Sequence, residues 1–492
     1  MPALALPAEH ILSEEQWWTF DTLGFLLIPS TVISPTCIQN IAEQLCGGGA
    51  CVVDHTADSF ASGVLGGNEC LAPTKRRDRY WSYGEGRLVG THRLVALTAL
   101  QDTDAVELVL ASHRAEVAPP VALLRNQTQR SYFEVQHLTR GDVLLIAGGV
   151  LRQFKPEASR QIQSVEYVSA HAPPASVAVG EEDMPDWVKT LSDTQRTLLW
   201  PYRQTGTPLA PLVLSDGQKT WLGEEAVATA TDVQNGVGAA HPALLRLDSA
   251  SAIDEEEMFW FDCNGFLVLR RVMDDDWLQQ ARDAIEANLE QVFLRGIGHD
   301  NDSSLGVADG PLAGTGRPDL KGLFQLPNGY AAPFLRMLDH PAVIQRLNWM
   351  LGAGYIAEQN TAICSVKGSS GQRLHAGGAP GSPMGTYEVR GGRIFIQGSI
   401  NVVWQLHDVR ESDGGFVICP GSHRATFPLP DRVAWCHDQT SVRHVAANAG
   451  DVVLFLGSAV THGALPWRSE KPRRVAILSY FSKYSSLYGA KL

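Results

Sequence analysis

The chain has 492 residues, a formal net charge of −13, 44% hydrophobic residues and 19% charged residues. That length allows two or three domains with large cores, and the composition is that of an ordinary globular protein. The acidic balance excludes a nucleic-acid binder, because phosphate recognition needs a basic face; the basic run KRRDR from Lys75 to Arg79 is short and reads as a solvated loop.

No run of about 18 apolar residues occurs, so no membrane span is expected. The opening MPALALPAEHIL has neither a basic flank nor a long apolar core, so no signal peptide is expected. The eight cysteines lie between Cys37 and Cys436 without a CxxC pair or a framework spacing. That pattern fits reduced thiols in an intracellular, cytoplasmic protein, with Cys419 and Cys436 as small buried hydrophobes. The last residues, Ala490, Lys491 and Leu492, are similar to the Ser-Lys-Leu peroxisomal address, which has meaning in a eukaryote.

In chain order, SEEQWWTFDTLGFLLIPSTVI (Ser13 to Ile33) predicts a helix with aromatics, a glycine stop and a buried apolar strand. CIQNIAEQL continues as a helix. LTALQDTDAVELVLASHRA (Leu97 to Ala115) and GDVLLIAGGVLRQFKPEASRQIQSVEYV (Gly141 to Val168) read as short strands broken by Gly, Pro and Asp. Residues 181–250 are rich in Gly, Ala and Thr after DMPDWVKTLSDTQRTLLWPYRQTG, and predict a linker with one helix.

The pattern then repeats. DEEEMFWFDCNGFLVLRRVM (Asp254 to Met273) echoes the first passage, and WLQQARDAIEANLEQVF echoes the helix after it. WQLHDVRESDGGFVICPGSHRA (Trp404 to Ala425) and GDVVLFLGSAVTHGALPWRSEKPRRVAILSYF (Gly450 to Phe481) echo the two strand passages in the same order. Three matches in one order predict a tandem duplication. The expected fold is mainly β with flanking helices (α+β), an antiparallel double-sheet jelly roll present twice. The expected division is a degenerate copy over 1–180, a linker over 181–250 and a catalytic copy over 251–492.

The second copy carries the chemistry. His375 stands in the glycine-rich RLHAGGAPG, His462 follows the strand GDVVLFL, and Arg473 comes eleven residues later. Two neutral imidazoles suit a first-row divalent metal, and Fe(II) with open positions can hold a bidentate oxo acid together with dioxygen. An arginine supplies a planar, permanently charged fork for the distal carboxylate of a 2-oxo dicarboxylate. Arg473 has a neighbour and rival in Arg474, and strand alternation lets only one enter the sandwich; Arg473 is preferred and Arg474 is assigned to the surface. His423 in PGSH is expected to shape a turn, Asp408 and Asp413 to cap one, and Trp404 either to line the pocket beside the oxo acid or to fill the core.

Over Asp254 to Tyr484 the Gly-Phe opening, the LHxGG loop, the D-x(5)-GG-F-x-x-x-PGSH segment and the GD…THG…R ending resemble the phytanoyl-CoA hydroxylase family of Fe(II)- and 2-oxoglutarate-dependent oxygenases. The resemblance implies His375 and His462 as metal ligands, Arg473 as the 2-oxoglutarate anchor, dioxygen as co-substrate, and a small-molecule or lipid-like substrate. It also implies an acid two residues after His375, where this chain has Gly377. Aliphatic halogenases of the superfamily share that substitution and bind chloride there, so Gly377 is a candidate halide slot. Water, or a carboxylate from elsewhere such as Glu388 or Glu358, would instead give a hydroxylase. A ligand-binding module with a vestigial centre is the non-enzymatic alternative, and a homo-oligomer is compatible with all three. In the first copy Gln153 is expected to stand where the second has His462, and Arg160 to echo Arg473; His92 lies beyond the corresponding loop. The loop between His375 and Arg393 is expected to act as a lid.

Overall fold

A computed structural model describes residues 12–30, 35–45, 51–54, 81–83, 88–90, 93–117, 119–120, 123, 133–169, 254–295, 309–352, 355–377, 386–390 and 393–482. The expected linker over 181–250, His92 and the C-terminal tripeptide lie outside the described residues.

Each half opens on a helix whose ends are written in the sequence. Helix α1 (Glu14–Leu23) starts with a capping box between Ser13 and Gln16. A second helix, α2, follows over Pro35–Leu45. Helix α3 (Glu255–Asn264) starts at Asp254, whose carboxylate accepts from the Glu256 and Glu257 amides. Gly24 and Gly265 end α1 and α3 in the left-handed conformation, so that a strand leaves at once.

The N-terminal half contains strands β1 (Phe25–Ile28), β2 (Cys51–Asp54), β3 (Trp81–Tyr83), β4 (Leu88–Gly90), β5 (Arg93–Ala99), β6 (Thr103–Leu108), β7 (Glu134–Leu138), β8 (Val143–Ala147), β9 (Arg152–Phe154) and β10 (Ile162–Ser169). Its large sheet runs β1-β8-β5-β10-β2, its small sheet β7-β6-β9, and β3-β4 is a hairpin. The C-terminal half contains β11 (Phe266–Leu269), β12 (Phe293–Arg295), β13 (Arg317–Lys321), β14 (Ile356–Ile363), β15 (Gln372–His375), β16 (Thr386–Arg390), β17 (Arg393–Gln397), β18 (Ser399–Gln405), β19 (Gly415–Ile418), β20 (Arg443–His444), β21 (Val452–Leu456), β22 (His462–Leu465) and β23 (Val475–Phe481). Its large sheet runs β11-β21-β18-β23-β14-β13-β12, its small sheet β15-β22-β19-β20, and β16-β17 is a hairpin. The first five strands of the two large sheets follow the same order, and all pairings are antiparallel. The chain is mainly β, with open jelly-roll sandwiches rather than closed barrels.

In the C-terminal half, helices α4 (Asp275–Glu286), α5 (Ala332–Leu338) and α6 (Pro341–Leu351) share one apolar core with the large sheet. Trp277 of α4 lies 5.3 Å from the Trp404 ring, and the edge of His340 is 5.8 Å from it. Across the large sheet, Asn401 pairs with Phe455 while Trp404 pairs with Val452, an odd step away along both strands. Side chains alternate, so Phe455, which meets His462 at 4.7 Å, faces the small sheet, and Trp404 faces the helices. Trp404 is therefore core and not part of the oxo-acid pocket. The Trp404 face of β18 is apolar (Ile400, Val402, Trp404), whereas the face towards the small sheet carries Ser399, Asn401, Val403 and Gln405.

The two halves touch along α1, α3 and the turns that follow β6 and β19. Trp18 packs with Leu374, Val417 and Cys419, whereas Phe259 packs with Val109, Ala115 and Leu151. No helix among the described residues is long and apolar enough to cross a membrane.

Candidate metal centre

His375 ends β15 and His462 begins β22, and the antiparallel register sets them directly opposite one another. Their ring centroids are 4.3 Å apart. Each imidazole is fixed by the backbone two residues before it. His375 Nδ1 bonds the Arg373 carbonyl at 2.9 Å and His462 Nδ1 bonds the Val460 carbonyl at 2.9 Å. A carbonyl only accepts, so each Nδ1 carries the proton and each Nε2 keeps its lone pair for a metal.

Electrostatics keep both rings neutral. Burial, then the neighbouring His375, lowers the His462 pKa to about 3. Burial also lowers that of His375, with the Arg317, Arg373 and Arg295 guanidiniums acting in the same direction and the backbone bond to Arg373 opposing them. A ligand with its lone pair free at low pH binds metal there. Co(II) affinity is expected to fall less between pH 7.5 and 5.5 than the roughly tenfold per ring that an ordinary imidazole of pKa ~6.5 would cost. A Co(II) titration followed by its visible bands at the two pH values checks this.

Arg473 is buried, and its Nε has no hydrogen-bond partner among the described residues. Burial, then the Arg317 charge, lowers its pKa to about 10, which leaves it cationic at neutral pH. Its guanidinium packs over Gly415, where an added Cβ would stand 3.3 Å from Nε. Gly415 lies on the strand whose Ile418 is opposite His462, three residues or about 10 Å along. The nearby Asp319 carboxylate offsets its charge only in part, being paired with Arg317, so the site suits an incoming carboxylate. Arg474 is also buried, and its Nε bonds Glu286 at 2.8 Å. It serves the helix side as a structural ion pair rather than as a surface residue.

Gly377 is held at φ +127°, and the preceding Ala376 at φ +63°. A Cβ on Gly377 would stand 2.9 Å from Thr461 Oγ1, which donates to the Ala376 carbonyl at 3.2 Å. Backbone conformation and the Thr461 hydroxyl together oppose any side chain at 377. Among the described residues no third His, Cys, Asp or Glu joins the histidine pair. Glu388 is exposed on the β16-β17 hairpin, and the Glu358 side chain lies outside the described residues. The stretch 378–385, GAPGSPMG, also lies outside them and contains no acid.

His423 is buried in a short turn of 3-10 helix, Ser422–Arg424, and bonds the Asp262 carbonyl at 3.0 Å. Asp413 accepts from the Arg410 amide and caps the turn, whereas Asp408 accepts from the Ala449 amide, 41 residues on, and ties two distant loops together. In the N-terminal half, Leu108 pairs with Arg152 just as Ile418 pairs with His462. Arg152, not Gln153, therefore occupies the position of His462. The turn before β9 is one residue shorter than the turn before β22, which displaces a comparison made by eye. A guanidinium in place of an imidazole removes a donor and adds a positive charge. Arg160 has the register of Arg473, since Ile162 and Val475 pair with Ala99 and Gln405 in turn, but it is exposed.

Residues 261–475 match the family model for phytanoyl-CoA dioxygenase. Among solved structures, HygX from Streptomyces hygroscopicus with nickel and 2-oxoglutarate bound is 18% identical, with a TM-score of 0.37, over 47% of this chain and 88% of that one. The 2-oxoglutarate-dependent epimerase SnoN of nogalamycin biosynthesis is 17% identical, with a TM-score of 0.33, over 45% and 80%. AviO1 from Streptomyces viridochromogenes Tue57 is 17% identical, with a TM-score of 0.33, over 48% and 96%. No curated protein matches the sequence.

Proposed function

We propose that the C-terminal half is an Fe(II)- and 2-oxoglutarate-dependent enzyme that oxidises an aliphatic C–H bond of a small-molecule or lipid-like substrate. The observation that carries this reading is the pair of imidazoles with both Nδ1 protons committed to carbonyls, beside a buried arginine whose Nε has no described partner. His375 and His462 would hold the metal through Nε2. Arg473 would take the distal carboxylate of 2-oxoglutarate. Phe416 and Phe455 lie 6.2 Å and 4.7 Å from the His462 ring and limit water on that side. With dioxygen, the bound iron and oxo acid supply the oxidant; the protein supplies position and exclusion of water. The functional division remains 1–180 as a metal-free copy, 181–250 as a linker and 251–492 as the catalytic part.

The position next to Gly377 is open to a ligand from solution, and two species suit it. The missing carboxylate favours chloride, which would restore the lost negative charge and make the enzyme a halogenase. The Thr461 hydroxyl favours water: its proton is directed at the Ala376 carbonyl, so it presents lone pairs, which accept from water and repel a halide. We place hydroxylation ahead on that ground. Anaerobic reconstitution with Fe(II) and 2-oxoglutarate is expected to give a weak visible charge-transfer band that does not move on adding chloride. A chloride-dependent shift would transfer the assignment to halogenation, and absence of the band would remove both.

A further inference from the structure

The contacts between the halves are reciprocal. In the N-terminal half Asp21 accepts from Arg114 Nη1 at 2.8 Å, then crosses to the other half to accept from the Thr426 amide at 2.7 Å and its hydroxyl at 2.9 Å. In the C-terminal half Asp262 accepts from Arg424, then crosses back to accept from the Glu116 and Val117 amides at 2.6 and 2.9 Å. His113 bonds the Asp21 carbonyl, as His423 bonds that of Asp262. Two equivalent positions even meet each other: a Cβ on Gly421 would stand 2.6 Å from the Cβ of Ala111. So do Glu134 and Arg443, which occupy matching strand positions opposite Leu108 and Ile418 and form a two-pronged ion pair at 2.8 Å. This is the geometry of a twofold interface, made inside one chain. On a true twofold axis Glu134 would face glutamate and Arg443 would face arginine; here the two sides have diverged into opposite charges.

The C-terminal turn gripped in this way also holds the candidate metal centre. Ser422 Oγ accepts from the Thr461 amide at 2.7 Å, and the Cys419 amide donates to the Thr461 carbonyl at 2.8 Å. Thr461 precedes His462, and its hydroxyl bonds the carbonyl of Ala376, which follows His375. The sequence of contacts is Asp21 to Thr426, then the turn, then Thr461, then both histidines.

We propose that the N-terminal half is an internal twofold partner that positions the metal centre of the C-terminal half, with Asp21 as the positioning residue. This rests on the reading of His375 and His462 as metal ligands. The N-terminal half needs no metal for this role, which fits Arg152 at the position of His462.

The test is a Co(II) titration of the full chain without 2-oxoglutarate, recording affinity and the visible ligand-field spectrum alongside thermal unfolding. Asp21→Asn is expected to weaken Co(II) binding about tenfold, in the range for supporting contacts around metal ligands, and to change the spectrum. Thr426→Val keeps the Asp21–Arg114 pair and is expected to give a smaller change in the same direction; it carries the test if Asp21→Asn does not fold. Asp142→Asn is the control. Asp142 caps the Ser30 and Thr139 amides inside the N-terminal half, so its loss should lower Tm and leave the Co(II) spectrum as it is. Unchanged affinity and spectrum in both interface variants would overturn the positioning role alone. An equal spectral change in Asp142→Asn would also overturn it, by showing general loosening. Failure of the wild-type chain to bind Co(II) would remove the metal-centre reading itself.

Discussion

His462→Ala is expected to abolish metal binding while the fold survives. His462 supplies one of only two imidazole donors brought together among the described residues, and no acid stands ready to replace it. Loss of a supporting contact around a ligand already costs about 10- to 100-fold in affinity, so loss of the ligand should exceed ~100-fold. The imidazole is buried against Phe455 and Phe416, and alanine leaves a small cavity there. Removing a buried neutral histidine also has a pH signature. With its pKa lowered to about 3, His462 contributes stability in full above its unfolded value near 6.5 and loses it as pH falls towards 3. The variant should therefore lose less Tm than wild type between pH 7 and 4. Equilibrium dialysis with Co(II), read with unfolding curves at both pH values, checks both parts. Retained wild-type metal affinity would move the centre elsewhere.

The second large effect is expected at Arg473, and it should separate function from stability. The guanidinium is buried, and its Nε has no described partner. A buried charge that is only partly offset is destabilising, and an apolar residue of similar volume is often neutral or better. Arg473→Met is therefore expected to hold or raise Tm in the absence of 2-oxoglutarate. Loss of one partner of a buried charge pair costs roughly 2–5 kcal/mol, which corresponds to about 30-fold to several-thousand-fold weaker 2-oxoglutarate binding. The same variant should lose the rise in Tm that 2-oxoglutarate gives to the metal-loaded wild type. Arg474→Met should behave in the opposite way: it leaves Glu286 without its partner and lowers Tm, with 2-oxoglutarate affinity kept. Thermal shifts with and without 2-oxoglutarate distinguish the two. If Arg474→Met alone loses the 2-oxoglutarate effect, the anchor has been assigned to the wrong arginine.

The sequence by itself determined the elements whose causes are local. Ser13 and Asp254 cap helices because their oxygens reach amides two or three residues away, and Gly24 and Gly265 stop them because glycine takes the left-handed conformation without a Cβ clash. The order His375, His462, Arg473 could be picked out in the sequence as a candidate site because those residue types have few other reasons to recur in that pattern. Tertiary structure alone decided what depends on partners far along the chain. Trp404 could not be placed from its strand, since alternation gives two sets of side chains without saying which faces the site, and the packing of Trp277 against Trp404 decides it. Arg152 rather than Gln153 stands at the position of His462 because a ladder to Leu108, not spacing, sets the register. Thr461 came to stand over Gly377, 84 positions away in the chain, through the pairing of β15 with β22. Asp21 reaches Thr426 across a sequence separation of 405 residues, and no local pattern encodes a hydrogen bond made only when two folded halves meet.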